Sequence, residues 1–204
     1  MQGRLVTTLT IGSPAPTARM AREGSGSAGK TIATNKAFAG TIAAGSVTAA
    51  GHNITTGAKV ALFWTDTAGV ARRRYGITAG TVAGNVIPVG SGGGSGDALP
   101  TSGEVAICAV TTLTAGTTPA IPAITGSQML QFLASCDQEG VLQFFSDAGT
   151  TSILVVDAHD VQEGFSWCQG GPAAVPFSAA IAQIDAYNAA VGKSATWTIT
   201  ALLA

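Results

Sequence analysis

Residues 59–80 read KVALFWTDTAGVARRRYGITAG, and the reading of this run decides the fold. Over 59–66, Val60, Leu62 and Trp64 alternate with Ala61 and Phe63, the period of two of a strand with an apolar side chain on each face. TAGV at 67–70 supplies the turn and ARRRYGITAG returns the chain, so the pair is a hairpin. A second turn follows at once: TVAGNVIPV, 81–89, sets Gly84 and Asn85, residues suited to positive φ, between two β-branched stretches. GSGGGSGDALP, 90–100, is a flexible loop. EVAICAV, 104–110, then alternates Val105, Ile107 and Ala109 with Ala106, Cys108 and Val110, as in a strand buried on both faces.

Outward from this block the chain divides by composition. Residues 1–40 are Gly, Ser, Ala and Thr with Pro14 and Pro16 and the clustered charges Arg19, Arg22, Glu23, Lys30 and Lys36. That is too polar for a core of its own and predicts an extended N-terminal arm, ordered against a neighbouring surface or a partner subunit. Residues 41–115 form a small antiparallel β-barrel or sandwich. Residues 116–126, with Pro119 and Pro122, are a stiff Pro/Thr/Ala linker. Residues 127–204 hold a C-terminal β-sandwich, with strands in QMLQFLA, GVLQFFSD, TSILVVDA, EGFSWCQ and SATWTITALLA. Within it, residues 178–191 fit either a helix striped by Ile181, Ile184, Tyr187 and Val191 or a strand carrying Ile184, Ala186 and Asn188 on one face; strand is preferred because its neighbours have a period of two. The fold class expected is all-β, two small antiparallel barrel or sandwich units behind an extended arm.

Composition bounds the function. Ten Lys and Arg against eleven Asp and Glu make 10% charged residues and a net charge of −1, against about 25% charged in an ordinary soluble domain. There is no basic field to hold a nucleic-acid backbone, so no specific nucleic-acid partner is expected. No apolar run approaches a membrane span, and the first residues lack an apolar core of signal-peptide length, so no membrane partner is expected and the mature chain is expected to be the whole chain. Cys108, Cys136 and Cys168 are widely spaced, with no CxxC, and read as small buried hydrophobes rather than a disulfide framework or a zinc site.

Two strings imitate nucleotide chemistry. GSGSAGKT, 24–31, spells a P-loop, and SILVVDAHD, 152–160, spells the apolar strand ending in an acid that accompanies one. A P-loop needs a parallel strand before the glycines and a helix after them; here APTARMARE precedes and a Thr-rich run with Gly40 and Gly45 follows, so both strings are read as accidents of composition. Asp157, His159 and Asp160 have spacing a divalent cation or an acid–base pair could use, and Cys168 with His159 could pair as nucleophile and base. The second histidine, His52, lies in a distant Gly-rich turn, and the readings preferred are a polar strand end and a core or interface aromatic, Trp167, beside Cys168. No catalytic residue, cofactor or metal site is assigned. The interface candidates are Arg72, Arg73, Arg74 and Tyr75, with Trp64 and Trp167: Arg72 and Arg74 leave one face of the strand, Arg73 and Tyr75 the other, and at least one Arg is expected to reach a carboxylate of another element or subunit, a partner-subunit salt bridge being preferred over a phosphate contact, with Asp97 either capping a turn or serving as that carboxylate.

The succession VALFW, GVARRRYGITAGTVAGNVIPVGSGGGSGDALP and EVAICAV, residues 60–110, resembles virion structural proteins of tailed bacteriophages, in which a strand ending in an aromatic pair is followed by RYG(I/M)T, a GN turn and a GD-LP loop. The C-terminal unit is similar in kind to the β-sandwich units of capsid-decorating proteins. The resemblance implies a non-enzymatic particle component, a head decoration or cement protein, assembled in the host cytoplasm and resident in the virion. Its implied partners are the major capsid protein or other virion subunits and copies of itself, a trimer first. The alternatives are a tail, fibre or head-to-tail component and, from another class, a carbohydrate- or surface-binding β-sandwich module using Trp64, Trp167 and Trp197 as stacking platforms.

Overall fold

The 59–80 hairpin lies inside the largest sheet of an all-β chain. The computed structural model describes residues 26–114, 129–145, 149–150, 152–158, 165–170 and 183–203, with no helix among them. Along the chain the strands are β1 Gly26–Ala33, β2 Ala37–Ala43, β3 Ser46–Thr48, β4 Lys59–Thr65, β5 Ala71–Thr78, β6 Val86–Pro88, β7 Ser95–Gly96 and β8 Ser102–Ala109, then β9 Thr111–Thr114, β10 Met129–Cys136, β11 Gly140–Phe145, β12 Ser152–Ala158, β13 Phe165–Gly170, β14 Gln183–Asn188 and β15 Thr196–Leu203.

Seven strands in the order β6-β3-β2-β8-β4-β5-β7 make a curled antiparallel half-barrel. The gap between its rims is bridged where Thr78 N–H donates to Gly92 O and Gly80 N–H to Pro88 O, 2.9 and 2.8 Å. Inside, Val60, Leu62, Ile77, Ile87, Ile107, Ile42 and Val47 are buried, with Trp64 partly buried against them. The hairpin takes the faces that its alternation predicts. One irregularity interrupts it: Tyr75 and Gly76 together stand opposite Ala61, a β-bulge made possible by the positive φ of Gly76, 70°. The bulge lets Arg74 and Ile77 share the inner face while Tyr75 turns out. At the second predicted turn, Ala83 and Val86 exchange both backbone hydrogen bonds across Gly84 and Asn85.

Two four-stranded antiparallel sheets complete the chain, β12-β11-β14-β9 and β1-β15-β10-β13. The first is the middle layer, and every residue of β11 and β14 is buried. One of its faces carries Val141, Val155 and Tyr187 against Ala61, Phe63, Tyr75 and Ala106 on the outside of the half-barrel. Its other face carries Leu142, Phe144, Ile184 and Ala186, and Trp197 of β15, which has no exposed surface, abuts it at Gly140. Residues 183–188 are strand, as preferred; 178–182 lie outside the described residues.

Segment boundaries drawn from composition fall differently in space. Residues 26–33 of the expected arm are β1, paired residue for residue with β15 from Gly26↔Leu203 to Ala33↔Thr196, and Ala37 opens β2. A Gly/Ala/Thr string has no apolar stripe to announce a strand, but its backbone pairs wherever a neighbouring strand offers a free edge. Likewise β9 belongs to the middle sheet: β8 runs on into β9 with Val110 alone between them, so one extended stretch serves two sheets. Asn35 fastens this crossing, its Nδ2 donating to Ala109 O and Val110 O at 3.3 and 2.8 Å while its N–H donates to Thr111 Oγ1. Residues 1–25 and the expected linker at 116–126 lie outside the described residues.

Candidate functional site

The densest charge in the chain gathers at one rim of the half-barrel. Asp66 closes the β4–β5 turn, its Oδ1 accepting from the N–H of Ala68 and of Val70, each at 2.9 Å. Its Oδ2 takes Arg72 Nε at 2.9 Å, and Arg72 Nη1 reaches Asp97 Oδ1 at 3.3 Å. Asp97 Oδ2 in turn accepts the N–H of Arg73 at 2.9 Å. Arg74 spreads its guanidinium over three carbonyls, those of Gly93, Gly94 and Asp97. The Val70 N–H, the Arg72 side chain and the Ala68 N–H hold the Asp66 carboxyl below the usual aspartate value, and the same Asp66 contact raises the Arg72 guanidinium.

An Arg-to-carboxylate contact is therefore present, but it closes within the chain, through Asp97 and also Asp66. Strand β7 lies beside β5, with Arg74 opposite Gly96, which carries Asp97 to the arginines without help from another molecule. Next to this network, a cleft of about 490 Å³ opens between Trp64, Asp66, Arg72, Ser102 and Glu104. Of its charged lining residues, Arg72 is shared between Asp66 and Asp97, and Glu104 is exposed, so the cleft carries an excess of negative charge.

Around the corner, the outer face of the half-barrel is covered by the middle sheet over only part of its area. Beyond that cover, the register aligns Thr48 with Thr41 and Thr41 with Glu104 across β3, β2 and β8. All three are exposed, as are Ala39, Ala43 and Thr65. The result is a flat shelf of small neutral side chains with one carboxylate, walled by Val191, which is 50% exposed.

The six interface candidates scatter. Arg72, Arg73, Arg74 and Trp64 stand at the rim. Tyr75 packs on the outer face of the half-barrel against the middle sheet, its ring 6.4 Å from that of Tyr187. Trp167 is in β13, opposite Ala134 in the β1-β15-β10-β13 sheet, far along the chain from the rim. Trp197 has no exposed surface and cannot serve as a stacking platform.

The chemical decoys resolve as structure where they are described. Residues 26–31 of the P-loop string run on to Ala33 as antiparallel strand where a P-loop would open a helix, and β12 pairs antiparallel with β11 rather than parallel to a neighbour. Asp157 lies in β12 opposite Val141; His159 and Asp160 are outside the described residues. His52 is a turn brace: its Nδ1 accepts the Ile54 N–H at 3.1 Å and its Nε2 meets Gly84 O at 3.1 Å. Burial pushes the Cys108 thiol up to about 11 and the Cys136 thiol to about 12, which makes both poor nucleophiles. Among the described residues no group of His, Cys, Asp and Glu has the geometry of a metal site.

Sequence reading missed the buried polar cluster around Asp185. Asp185 has no exposed surface, and its Oδ1 accepts from Thr112 Oγ1 at 2.8 Å and from Gln183 Nε2 at 2.7 Å. Lys59 reaches it across the layer boundary, Nζ to Oδ2, at 3.6 Å. One signal was available: in QIDAYN, a strand phase that buries Ile184 and Ala186 puts Gln183, Asp185 and Tyr187 together on the opposite face.

Comparison of the sequence with protein families and with curated proteins returns no match.

Proposed function

We propose that the protein is a non-enzymatic structural subunit of a virus particle, a head decoration protein that seats on capsid subunits and associates with copies of itself. The observation that carries the reading is the bare shelf formed by Ala39, Thr41, Thr48, Thr65 and Glu104. A flat sheet face of small, uncharged side chains can be buried against a neighbour of fixed shape at little desolvation cost, with the Glu104 carboxylate left for a cation of that neighbour to meet, and repeated assemblies use such faces. The chain also has few charges to keep that face wet. Lys59, Asp66, Arg72, Asp97 and Asp185, five of its charged side chains, are paired within the fold. The likeness of residues 60–110 to tailed-phage virion proteins supports the same reading, and it suggests that the rim network is the scaffold beneath the motif rather than a catalytic centre.

Light scattering coupled to size exclusion tests the self-association. The full chain is expected to run as a discrete oligomer, a trimer first, and Thr41→Arg, which plants a charge in the shelf, is expected to reduce it to monomers with an unchanged circular dichroism spectrum. A wild-type chain that stays monomeric over a hundredfold concentration range and matches Thr41→Arg overturns the reading. Truncation belongs at residue 25 rather than 40, because removal of 26–40 takes away β1 and the start of β2.

A further inference from the structure

Lys59 and Asp185 meet in an arrangement that an ordinary buried ion pair does not need. A fully buried carboxylate normally collects donors on both oxygens. Here both hydrogen bonds, from Thr112 Oγ1 and Gln183 Nε2, fall on Oδ1, and Oδ2 has no hydrogen-bond partner. Lys59 Nζ stands at the Oδ2 side, 3.6 Å away, too long for a good hydrogen bond. The amine is itself held: it donates to Gly149 O at 3.1 Å and lies 5.3 Å over the Phe145 ring. Gly149 makes this possible, since its φ of 91° suits glycine and a Cβ there would come within 3.0 Å of Nζ and 2.7 Å of Gln183 Nε2. One carboxyl oxygen polarised by two donors, the other unheld, and a nucleophile beside it are the parts of an acyl-transfer site.

We propose that Lys59 and Asp185 join in an intramolecular amide bond that staples the half-barrel to the middle sheet. The ammonium passes one proton to Oδ2, leaving an amine and a carboxylic acid. The Nζ lone pair attacks Cγ, the C–N bond forms, and the Cγ–Oδ1 π pair moves onto Oδ1, where the Thr112 hydroxyl and the Gln183 amide stabilise it. A second Nζ proton moves to Oδ2, the Oδ1 pair re-forms the carbonyl, and the Cγ–Oδ2 bond breaks. Ammonium and carboxylate become amide and one water, with no change of oxidation state and no further reactant. Holding Nζ 3.6 Å from one oxygen of the carboxyl group keeps amine and acid together in one closed site and replaces the collision that such a condensation needs in bulk water. Exchanging two charges at the edge of the core for one neutral amide also removes their desolvation cost. The Lys59 side chain is 34% exposed, which gives the departing water a way out.

The crosslink does not depend on the virion reading, and its test needs no variant. The full chain, purified folded and then weighed intact under denaturing conditions, is expected to be lighter than its sequence by one water. Protease digestion is expected to yield a joined pair of peptides, one holding Lys59 and the other Asp185. Lys59→Arg and Asp185→Ala are expected at full sequence mass, and Gly149→Ala is expected to lower the crosslinked fraction severalfold. A wild-type chain at full mass after prolonged incubation overturns the proposal. So does a water loss whose digest contains no joined peptide, which would place the dehydration at a cyclised aspartate.

Discussion

Two charge clusters lie on the same β4–β5 hairpin and differ in nearly everything else. At its tip, Asp66, Arg72 and Asp97 are partly open to water, with Arg72's side chain 42% exposed, and each carboxylate also accepts backbone N–H groups. At its base, Lys59 reaches into a closed layer toward an Asp185 with no exposed surface. The tip organises a loop with local partners. The base ties together two sheets whose contacting residues are more than a hundred positions apart. Solvent decides how much each matters: exposed pairs are screened and exchange their bonds for water, whereas a buried group that loses its partner has nothing to replace it.

Six substitutions sharpen or break this contrast, taken broadly from the largest effect downward. Trp197→Ala empties the packing between the middle sheet and the β1-β15-β10-β13 sheet and is expected to cost about 3–5 kcal/mol in urea unfolding; Trp64→Ala, beside the rim, is expected to cost clearly less, and equal losses would mean that the rim is as tightly packed as the interior. Lys59→Met removes the crosslink as well as stranding the Asp185 carboxylate, and is expected to cost at least about 3–5 kcal/mol. Asp185→Leu breaks the same crosslink but is expected to cost less, because the freed Lys59 ammonium, 34% exposed, can turn to solvent; an equal or larger loss would show that the stranded carboxylate is not what makes the lysine variant costly. Thr112→Val removes one hydrogen bond to Asp185 Oδ1, at about 0.5–1.5 kcal/mol.

Asp66→Asn is expected to give the smallest loss, with a distinct pH dependence. The Asp66 carboxyl is held below its ordinary value in the fold, so its contribution is fully present above the unfolded aspartate value and disappears as pH falls through the folded one. Unfolding midpoints of wild type and variant should therefore differ at neutral pH and converge below the ordinary aspartate value of 3.8. A gap that persists in strong acid would assign the effect to the turn rather than to the charge.

What the sequence disclosed follows the same division. The hairpin and its faces, the Gly84–Asn85 turn and the strands of the C-terminal half were legible, because alternation, turn residues and short loops are local signals. Strand β1 was not. Residues 26–33 carry no pattern of their own and become a strand only because β15 lies beside them. The Lys59–Asp185 contact was hidden for a related reason: Lys59 reads as the wet end of a strand, and only the stacking of two sheets brings it to a residue in β14. The rim was legible as a charge cluster, whereas its closure within the chain depends on β7 lying next to β5, a neighbourhood that sequence order does not announce.

The pairing of Gly26–Ala33 with Thr196–Leu203 also sets a schedule for biosynthesis. The half-barrel has all its strands once β8 has left the ribosome, whereas β1 waits for β15. At about 5–20 residues per second that wait is on the order of ten seconds or more, during which a Gly- and Ala-rich strand edge stays open to foreign partners. The low hydrophobicity that hid β1 from the sequence reader protects the nascent chain over the same interval, because a strand with so little to bury has little hold on anything but its own partner.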